Sequence, residues 1–380
     1  MVTLNENSIL TLGEGIELYL MAVKLRKWHL KSRTKTFYSE RALDVNMSSK
    51  PKVSVYLPVY NGDPYICAAI GSILDQTFQD FELIVVNDGS TDRTADIVAE
   101  IDDPRIRLIN QENRGCYPAR NRAIEGARGE FLANMDADDI SLPERLEQQV
   151  QYLEENTEAG LVGTATYGCD QEDTIRLRQP QLFEYDPSTP VPHAVPFDCT
   201  QYSAAFACQT ILYRRSLVER MGHYDDRLCF SADVEFVARA ACEGVVACLP
   251  DPLYVFRLIP SAISGAGSTI QREIISIIAA ASHRYAEGKG REFTEEEVNR
   301  LSALSEKRQD LPSTSQRIKE AYYHTRLATL HRVNGHPTEC LKHSLRAAFL
   351  APGNLLSDRK LVSNFVKFGF GSRANTSVDG

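Results

Sequence analysis

Short apolar runs alternate along the chain with stretches of helical character, and this alternation gives the first prediction of the fold. Four short runs predict strands, of which the first is rich in β-branched and aromatic residues: Val53–Tyr60, Phe81–Asp88, Arg105–Asn110 and Phe131–Met135. Helical stretches of about 10–15 residues separate them, and units of this kind join parallel strands by right-handed crossovers. The pattern therefore predicts an α/β domain with a mostly parallel, Rossmann-like sheet and helices on both faces.

A second, less regular group of elements follows the fourth strand. The pattern predicts a helix over 144–155, an apolar strand over 161–167, a strand near 207–214, a helix over 231–241 and a strand over 245–249. Between the apolar strand and residue 207, residues 169–202 are irregular and contain five prolines from Pro180 to Pro196. A stretch of this length is uncommon as a simple loop, so it predicts a functional flap or an insertion.

The C-terminal part has helical character from about Ile270 onward. Tyr322–His331 and Pro337–Leu350 predict an antiparallel helix pair joined at Asn334-Gly335. The pair is similar to one tetratricopeptide-type hairpin, but simple packing on the main domain is the interpretation that we favour. The predicted organisation is an N-terminal arm (1–50), the α/β domain (51–268), a C-terminal helical region (269–370) and a tail predicted to be disordered (371–380).

Charge and cysteine content narrow the classes of function. The 380 residues carry a formal net charge of -9, with a pI near 5.5. Extensive nucleic-acid binding needs a basic surface and is therefore not expected. The nine cysteines include no CxxC pair, which indicates reduced thiols and a cytoplasmic location. No apolar run has the length of a membrane span, and the N-terminus lacks the pattern of a cleaved signal peptide.

The N-terminal arm contains a basic amphipathic pattern over residues 16–35. Leu18, Met21, Leu25 and Trp28 fall on one helical face, with lysines on an adjoining face. Helices of this kind can lie on an anionic membrane surface. A helix docked on the main domain, or a partly disordered arm, is the favoured interpretation. Peripheral membrane contact through residues 16–35, at the inner face of the membrane, is kept as the alternative.

Polar side chains stand where the predicted strands end. Tyr60-Asn61, Asp88, Asn110 and Asp136 each close or follow a different strand. In open α/β sheets, the ligand crevice lies outside the carboxyl ends of the strands. Strand ends are also polar simply because they meet solvent, but that does not explain why Asp88 is followed by Gly-Ser-Thr-Asp. We therefore predict a binding site at this edge of the sheet.

The acidic stretch after the fourth strand is a candidate metal site. In an extended chain, Asp136 and Asp138 would direct their side chains to the same face. Carboxylate oxygens are the ligands that Mg2+ and Mn2+ take, and water and phosphate fill the remaining positions. Taken alone, the stretch also fits a solvated acidic turn that caps the helix after Pro143.

Four motifs occur in order along the chain. They are Val55–Asn61, Val86–Asp92, the pair Asn113-Arg114-Gly115 and Ala119-Arg120-Asn121, and Met135–Asp139. Together they resemble the family 2 glycosyltransferases, which have the GT-A fold. Each motif is moderately common alone, whereas all four in register are highly specific. The resemblance covers roughly residues 52–264 and leaves the N-terminal arm and the C-terminal helices unexplained.

The resemblance implies a donor site for a nucleotide-sugar, most often UDP-linked. The implied donor-binding residues are Pro58, Val59, Tyr60, Asn61, Asp88, Arg120, Asp136 and Arg257. Asp88 would accept a hydrogen bond from the nucleobase, Arg120 would anchor the donor, and Asp136 would contact the ribose or the sugar. Asp138, together with Asp136, would hold Mn2+ or Mg2+ at the diphosphate. A helix-capping Asp88 and a surface Arg120 are the simpler alternatives.

On the acceptor side, Ser231–Phe236 matches the acidic segment that precedes the family's last helix. Asp233 corresponds to the position of the family's general base. A sugar hydroxyl requires such a base because it is a weak nucleophile until its proton is removed. A single base without a second nucleophilic carboxylate suits displacement with inversion. A helix N-cap is the alternative role of Asp233, and Glu235 is a weaker candidate for acceptor contacts.

One position departs from the family pattern. Many relatives have a histidine where this chain has Ile259, and an isoleucine cannot ligate a metal. Metal binding would then be weaker, with water in that place. Arg257, two residues earlier, would still pair with the diphosphate. A less generous interpretation is that activity is reduced or lost.

The sequence therefore predicts an inverting, metal-dependent glycosyltransferase that moves a sugar to a glycan, lipid or other hydroxyl, as in polysaccharide biosynthesis. The chain lacks the Gln-x-x-Arg-Trp motif of processive synthases, so transfer of a single sugar is expected. A nucleotidyltransferase is discounted because Tyr60–Asp63 stands where that class has a Gly-rich basic loop. A catalytically weak or inactive nucleotide-sugar-binding scaffold is the alternative, and the oligomeric state is open.

Overall fold

The computed structural model describes the chain in six stretches. They comprise residues 50–178, 207–228, 231–260, 269–289, 293–309 and 316–352. Contacts divide the chain into two units, Met1–Ser49 and Lys50–Gly380, and the description below concerns the second. The predicted basic helix (16–35), most of the predicted flap and the tail (371–380) lie outside the described residues.

The first half of the second unit alternates strands and helices as predicted. Its elements are β1 (Val53–Val59), α1 (Ile66–Leu74), β2 (Phe81–Asp88), α2 (Thr94–Ala99), β3 (Ile106–Gln111), α3 (Cys116–Gly126) and β4 (Phe131–Asn134). Every residue of β1 and β2 is buried. Full burial on both faces is what a central parallel strand requires, and it explains why these runs are apolar without alternation.

Among the described residues, the second half adds five strands of 2 to 13 residues and three helices. Its elements are β5 (Ile140–Ser141), α4 (Arg145–Glu155), β6 (Ala159–Cys169), β7 (Arg176–Arg178), a 3-10 turn (Cys208–Thr210), β8 (Leu212–Arg214), α5 (Arg215–Met221), α6 (Ala232–Glu243) and β9 (Val245–Arg257). The sequence pattern did not predict β5, β7 and α5. Elements of two, three and seven residues carry too few periods of hydrophobicity for a pattern to be recognised.

The nine described strands form one sheet in the order β3-β2-β1-β4-β8-β6-β9-β5, with β7 on β6. Pairs β1–β2, β1–β4, β2–β3 and β6–β9 are parallel. Strand β8 is antiparallel to both β4 and β6, so β6 and β9 run in the same direction as β1. Six of the nine strands therefore share a direction, and the predicted mostly parallel sheet is confirmed.

Strand β9 is longer than predicted because it continues past two prolines. Thr164 of β6 pairs with Leu249, and the next residue, Ala165, pairs with Pro252. Pro250 and Asp251 therefore form a bulge, which accommodates residues that cannot donate to the ladder. The strand beyond the bulge reaches Arg257 and brings the end of β9 beside the acidic loop after β4.

Two apolar clusters cover the two faces of the sheet. Alternate residues of β1 divide between them, with Tyr56 in one cluster and Val55 and Leu57 in the other. The first cluster also contains Tyr213 and Phe236 and extends to Ile274 and Leu301 in the C-terminal helices. This division follows the two-residue period of a strand and accounts for the three-layer arrangement.

A buried carboxylate connects three strands near their amino ends. Glu82 of β2 is 2% exposed and accepts hydrogen bonds from Ser54 Oγ (2.7 Å), Arg107 Nη1 (3.0 Å) and Arg128 Nε (2.9 Å). Burial alone would raise the pKa of Glu82, but the bonds from Arg128, Ser54 and Arg107 lower it below its ordinary value.

Four helices follow the sheet: α7 (Thr269–Ala286), α8 (Glu295–Gln309), α9 (Gln316–Val333) and α10 (Pro337–Leu350). The last two confirm the predicted antiparallel pair, and Gly335 at their junction has φ +75°. Leu327 and Leu330 of α9 pack against Leu258, which follows β9. None of the described helices is both long and apolar enough to cross a membrane.

Candidate functional site

Helix α3 begins at the carboxyl edge of the sheet, where Asp88 closes β2. Asp88 Oδ1 accepts the N–H of Arg114 (2.9 Å), and Oδ2 accepts the N–H of Gly115 (2.8 Å). Gln111 donates a third bond from Nε2 (2.7 Å), and Asp88 is only 3% exposed. The carboxylate therefore caps the start of α3 from outside the helix. A contact of Asp88 with a nucleobase stays a prediction.

The loops after β1 and β2 are bonded to each other. The Asn61 N–H donates to Ser90 Oγ (2.9 Å), and Asn61 Oδ1 accepts the N–H of Thr91 (2.8 Å). Asn61 has φ +53°, a left-handed conformation that Asn tolerates better than most residues. Of the predicted base-binding segment, the side chains of Tyr60 and Asn61 reach solvent, whereas Pro58 and Val59 are buried in the sheet.

Gly89 allows the β2 loop to approach the start of α3. Its φ is +74°, and a Cβ there would lie 2.7 Å from the backbone nitrogen of Asn113. Only glycine fits both the backbone angle and this close approach. The Asp-Gly pair at 88–89 is therefore one unit, in which glycine makes room for the loop that aspartate binds.

Arg120 of α3 contacts the end of β4. Its Nη2 donates to Asp136 Oδ1 at 2.7 Å, and the residue is 5% exposed. The guanidinium also lies 5.6 Å from the ring centroids of Tyr117 and Tyr224. Arg120 is thus not a surface cation, and it neutralises the first carboxylate of the acidic loop. Its buried Nε has no hydrogen-bond partner among the described residues.

The acidic loop turns sharply instead of continuing β4. The strand ends at Asn134, and the Asp139 N–H contacts Asp136 O at 3.4 Å. The expectation of extended geometry from Asp136 to Asp138 is therefore wrong, because a turn occupies these positions. Burial, together with the neighbouring Asp136 charge, raises the pKa of Asp138 to about 6.

Arg257, at the end of β9, supports this loop through backbone contacts. Its Nε donates to Asp138 O (2.8 Å), its Nη1 to Gln171 O (3.0 Å), and its N–H to Asp139 Oδ1 (2.8 Å). These bonds favour a role in shaping the loop over the predicted pairing with a diphosphate. Ile259 lies two residues beyond β9 and is half-buried.

The candidate metal ligands form a small, hard donor set. Among the described residues, no group of three or more His, Cys, Asp and Glu side chains is arranged to hold a metal ion. Asp136 and Asp138 lie in a half-buried loop, where burial and then the neighbouring Asp136 charge raise the pKa of Asp138. Two carboxylates with room for water and phosphate oxygens fit Mg2+ or Mn2+, which seldom use an all-protein cage.

Asp233 lies in the first turn of α6 and is half-buried. Its Oδ1 accepts a hydrogen bond from the Tyr117 hydroxyl at 3.2 Å and contacts the Val234 N–H at 3.0 Å. Ser231, which precedes the helix, has φ +60°, an uncommon angle for a residue with a side chain. The structure thus brings Asp233 to the same helix, α3, that binds Asp136.

Glu235 has a structural partner. Its two oxygens accept bonds from Arg239 Nε (2.5 Å) and Nη2 (2.9 Å), and it is 8% exposed. Arg239 in turn donates to the backbone oxygen of His223 at 2.7 Å. This arrangement favours a role in fixing α6 to the preceding loop over the acceptor contact predicted for Glu235.

Two residues of the site were missed by the sequence interpretation. Tyr117 bonds Asp233, and its position three residues before Arg120 in the third motif was the available signal. Arg145 is fully buried and donates to Asn134 O (2.7 Å), which holds the end of β4 just before Asp136. Burial lowers the pKa of Arg145 to about 10. The available signal for Arg145 in the sequence was a cation in the apolar face of α4.

Comparison with known proteins finds a family model and several relatives that match part of this chain. A model described as Glycosyl transferase family 2 matches residues 54–222. Two proteins of Bacillus subtilis (strain 168) that are named as glycosyltransferases are 32% identical to this chain: EpsH over 225 residues and EpsJ over 220 residues. Each match covers 56% of this chain. Chondroitin synthase of Escherichia coli is 32% identical over 165 residues, which are 43% of this chain and 23% of that protein.

A solved structure supports the fold. The crystal structure of S. aureus TarS 1-349 superposes with a TM-score of 0.50 at 19% identity and covers 86% of this chain and 92% of that one. The chain spans 62% of the length of EpsH and 63% of the length of EpsJ. The order of motifs, the family match and the α/β architecture agree, and they support a family 2 glycosyltransferase domain over residues 54–222.

Proposed function

We propose that this chain transfers a sugar, with inversion, from a nucleotide-sugar to an acceptor hydroxyl. UDP-linked sugars are the donors we favour, and glycans or lipid-linked glycans are the acceptors. The similarity to a protein named chondroitin synthase supports the carbohydrate class of acceptor. The proposed setting is the cytoplasm, with peripheral membrane contact through residues 16–35 as an option.

One observation carries the proposal: helix α3 bonds three carboxylates from distant parts of the chain. Asp88 bonds its start, Asp136 bonds Arg120, and Asp233 bonds Tyr117. Each contact also stabilises the fold, since acids near a helix N-terminus and a buried ion pair are favourable. A donor and a base held a fixed distance apart require such a convergence.

On the donor side, we assign the exposed Tyr60 and Asn61 to the nucleobase and ribose. Asp136 and Asp138 would hold a divalent cation, which would neutralise the charge that develops on the departing diphosphate. Arg120 orients Asp136 and neutralises its charge. Arg257 keeps the loop in shape.

On the acceptor side, we assign Asp233 as general base. The acceptor oxygen forms a bond to the anomeric carbon while the bond from that carbon to the diphosphate oxygen breaks. The electron pair leaves with the nucleoside diphosphate, and the acceptor proton passes to Asp233. Because Oδ1 already accepts from Tyr117, Oδ2 is the oxygen that takes the proton.

The experiment is a donor panel. Release of nucleoside diphosphate is measured from UDP-, GDP- and dTDP-linked sugars with Mn2+ or Mg2+, for the wild type and for Asp138→Asn and Asp233→Asn. Slow release from one donor, lost in Asp138→Asn, is the expected result. Unchanged turnover in Asp138→Asn would contradict the metal role of that residue. Survival of hydrolysis in Asp233→Asn would call for an acceptor assay, since water needs a base less than a sugar hydroxyl does.

A binding measurement separates an enzyme that needs its acceptor from a scaffold. UDP with Mn2+ should raise the melting temperature, because a ligand that binds the folded state stabilises it by RT ln(1 + [L]/Kd). A protein that neither turns over any donor nor binds UDP would contradict the proposal. Binding without turnover, restored by substitution of Ile259 by His, would identify that position as the cause of weak activity.

A further inference from the structure

Tyr117 lies between the donor half and the acceptor half of the site. It is the second residue of α3, and its hydroxyl donates to Asp233 Oδ1 at 3.2 Å. The other contact of that oxygen within the described residues is with the N–H of Val234, the next residue of the same helix turn. Tyr117 is therefore the side chain that relates Asp233 to the rest of the site.

Tyr117 and Arg120 share one face of α3, since residues three apart are neighbours on a helix. Arg120 binds Asp136 at 2.7 Å, and its guanidinium lies 5.6 Å from the Tyr117 ring centroid. One turn of α3 thus contacts both the donor-side carboxylate and Asp233. These two carboxylates are far apart in sequence, so the helix sets the distance between them.

The Tyr117 ring is itself held in place. It stacks on Tyr224 with centroids 6.0 Å apart, and Tyr224 stacks on Phe236 at 4.3 Å. Phe236 lies one turn after Asp233 on α6. The Asn121 side chain fixes Tyr224 by bonds to its backbone oxygen (2.8 Å) and nitrogen (3.0 Å). A hydroxyl on such a ring is a rigid donor.

The hydroxyl can act only as a donor to Asp233. Burial, together with the charge of Asp233, raises the pKa of Tyr117 well above its ordinary value, so the phenol stays protonated. It therefore does not compete for the proton of an acceptor. Its hydrogen bond engages Oδ1 of the Asp233 carboxylate and does not involve Oδ2.

We propose that Tyr117 is the positioning residue of Asp233: it holds Oδ1 so that Oδ2 is directed to the acceptor hydroxyl. The proposal rests on the proposed function, because it takes Asp233 as the base. Its consequence is a loss of turnover, not of donor binding, when the hydroxyl is removed.

The test compares Tyr117→Phe, Asp233→Asn and the double variant on the UDP-, GDP- and dTDP-sugar panel with Mn2+. We expect Tyr117→Phe to lower kcat roughly tenfold with the donor KM changed less than about twofold, since a misplaced base slows the chemical step alone. Asp233→Asn should lower kcat by about a hundredfold or more. The double variant should be no slower than Asp233→Asn, because Tyr117 acts through that carboxylate.

Tyr213→Phe is the matched control. Its hydroxyl bonds the Tyr56 hydroxyl at 3.2 Å in the same aromatic cluster and touches no carboxylate of the site. It should lower the melting temperature and leave kcat unchanged. A Tyr117→Phe variant that behaves in this way, while Asp233→Asn has lost turnover, would overturn the proposal. Wild-type rates of sugar transfer to an acceptor in Asp233→Asn would instead remove the base assignment and thus the proposed function.

A crystal structure of Tyr117→Phe provides a readout that needs no substrate. We expect Asp233 to leave its wild-type rotamer or to occupy more than one. A single, unchanged Asp233 conformer in the variant would show that the Val234 N–H and local packing suffice, and would overturn the positioning role.

Discussion

Replacing Arg120 by methionine tests whether the donor side is built on a buried ion pair. Arg120 is 5% exposed, and its partner Asp136 has a side chain that is 28% exposed. Methionine fills much of the same volume, so the change removes the charge and the hydrogen bonds while it keeps most of the packing. Asp136 would then remain half-buried without its cation.

The magnitude follows from the contacts that are lost. A hydrogen bond to a charged group contributes about 1.5–3 kcal/mol, and each of the two contacts with tyrosine rings about 0.5–1 kcal/mol. Solvent reaches Asp136 and recovers part of this loss, and methionine avoids the desolvation of a buried cation. We expect a net loss of about 2–3 kcal/mol in the free energy of unfolding, or roughly 3–4 °C in melting temperature for a unit of this size.

Arg122→Met is the matched control on the same helix. Arg122 is 57% exposed and contacts Glu125 at 3.6 Å, so its loss should change the free energy of unfolding by less than about 0.5 kcal/mol. Chemical denaturation measures stability, and the shift in melting temperature on adding UDP with Mn2+ measures donor binding. Equal stability of the two variants would refute the buried ion pair. Equal UDP shifts would refute the role of Arg120 in the donor site.

Three further predictions use other parts of the site and fold. Cys116 and Cys67 are both exposed, so maleimide should label both, Cys116 more slowly because desolvation raises the pKa of its thiol to about 11. UDP with Mn2+ should protect only Cys116 of the two, as peptide mass spectrometry can measure; equal labelling with and without UDP would contradict a donor site at the start of α3. Gly89→Ala should cost at least about 2 kcal/mol in denaturant unfolding and abolish the UDP shift, whereas Gly71→Ala, with open space around its Cβ, should be neutral or stabilising. Because the folded pKa of Glu82 is depressed, its contribution is complete above its unfolded pKa near 4.3 and is lost as pH falls through the folded value. Glu82→Gln should therefore be less stable than wild type at pH 7, and the gap should narrow below about pH 4; a gap independent of pH would contradict the linkage.

Much of the α/β architecture could be predicted because local pattern and global fold agree there. β1 and β2 are buried on both faces, and their largely apolar runs carry that information in the sequence. The end of β9 could not be predicted, because Pro250 and Pro252 normally terminate a strand. A bulge against Thr164 and Ala165 of β6 accommodates them, and a partner strand is not visible in a local pattern.

The candidate site also has a part that the sequence could predict and a part that it could not. Motif spacing was sufficient to select Asp88, Asp136 and Asp233, because acids at strand ends and at a helix start are marked by their own neighbours. It could not assign what each carboxylate does, since that depends on partners distant in sequence. Asp88 lies against the start of α3 and Glu235 against Arg239, and both are occupied by protein donors. No local sequence pattern singled out Tyr117, yet its hydroxyl joins α3 to Asp233. Partners supplied by tertiary structure thus decide whether an acid caps a helix, pairs with a cation or is left with an oxygen for chemistry, and Asp233 is the one for which the last role fits.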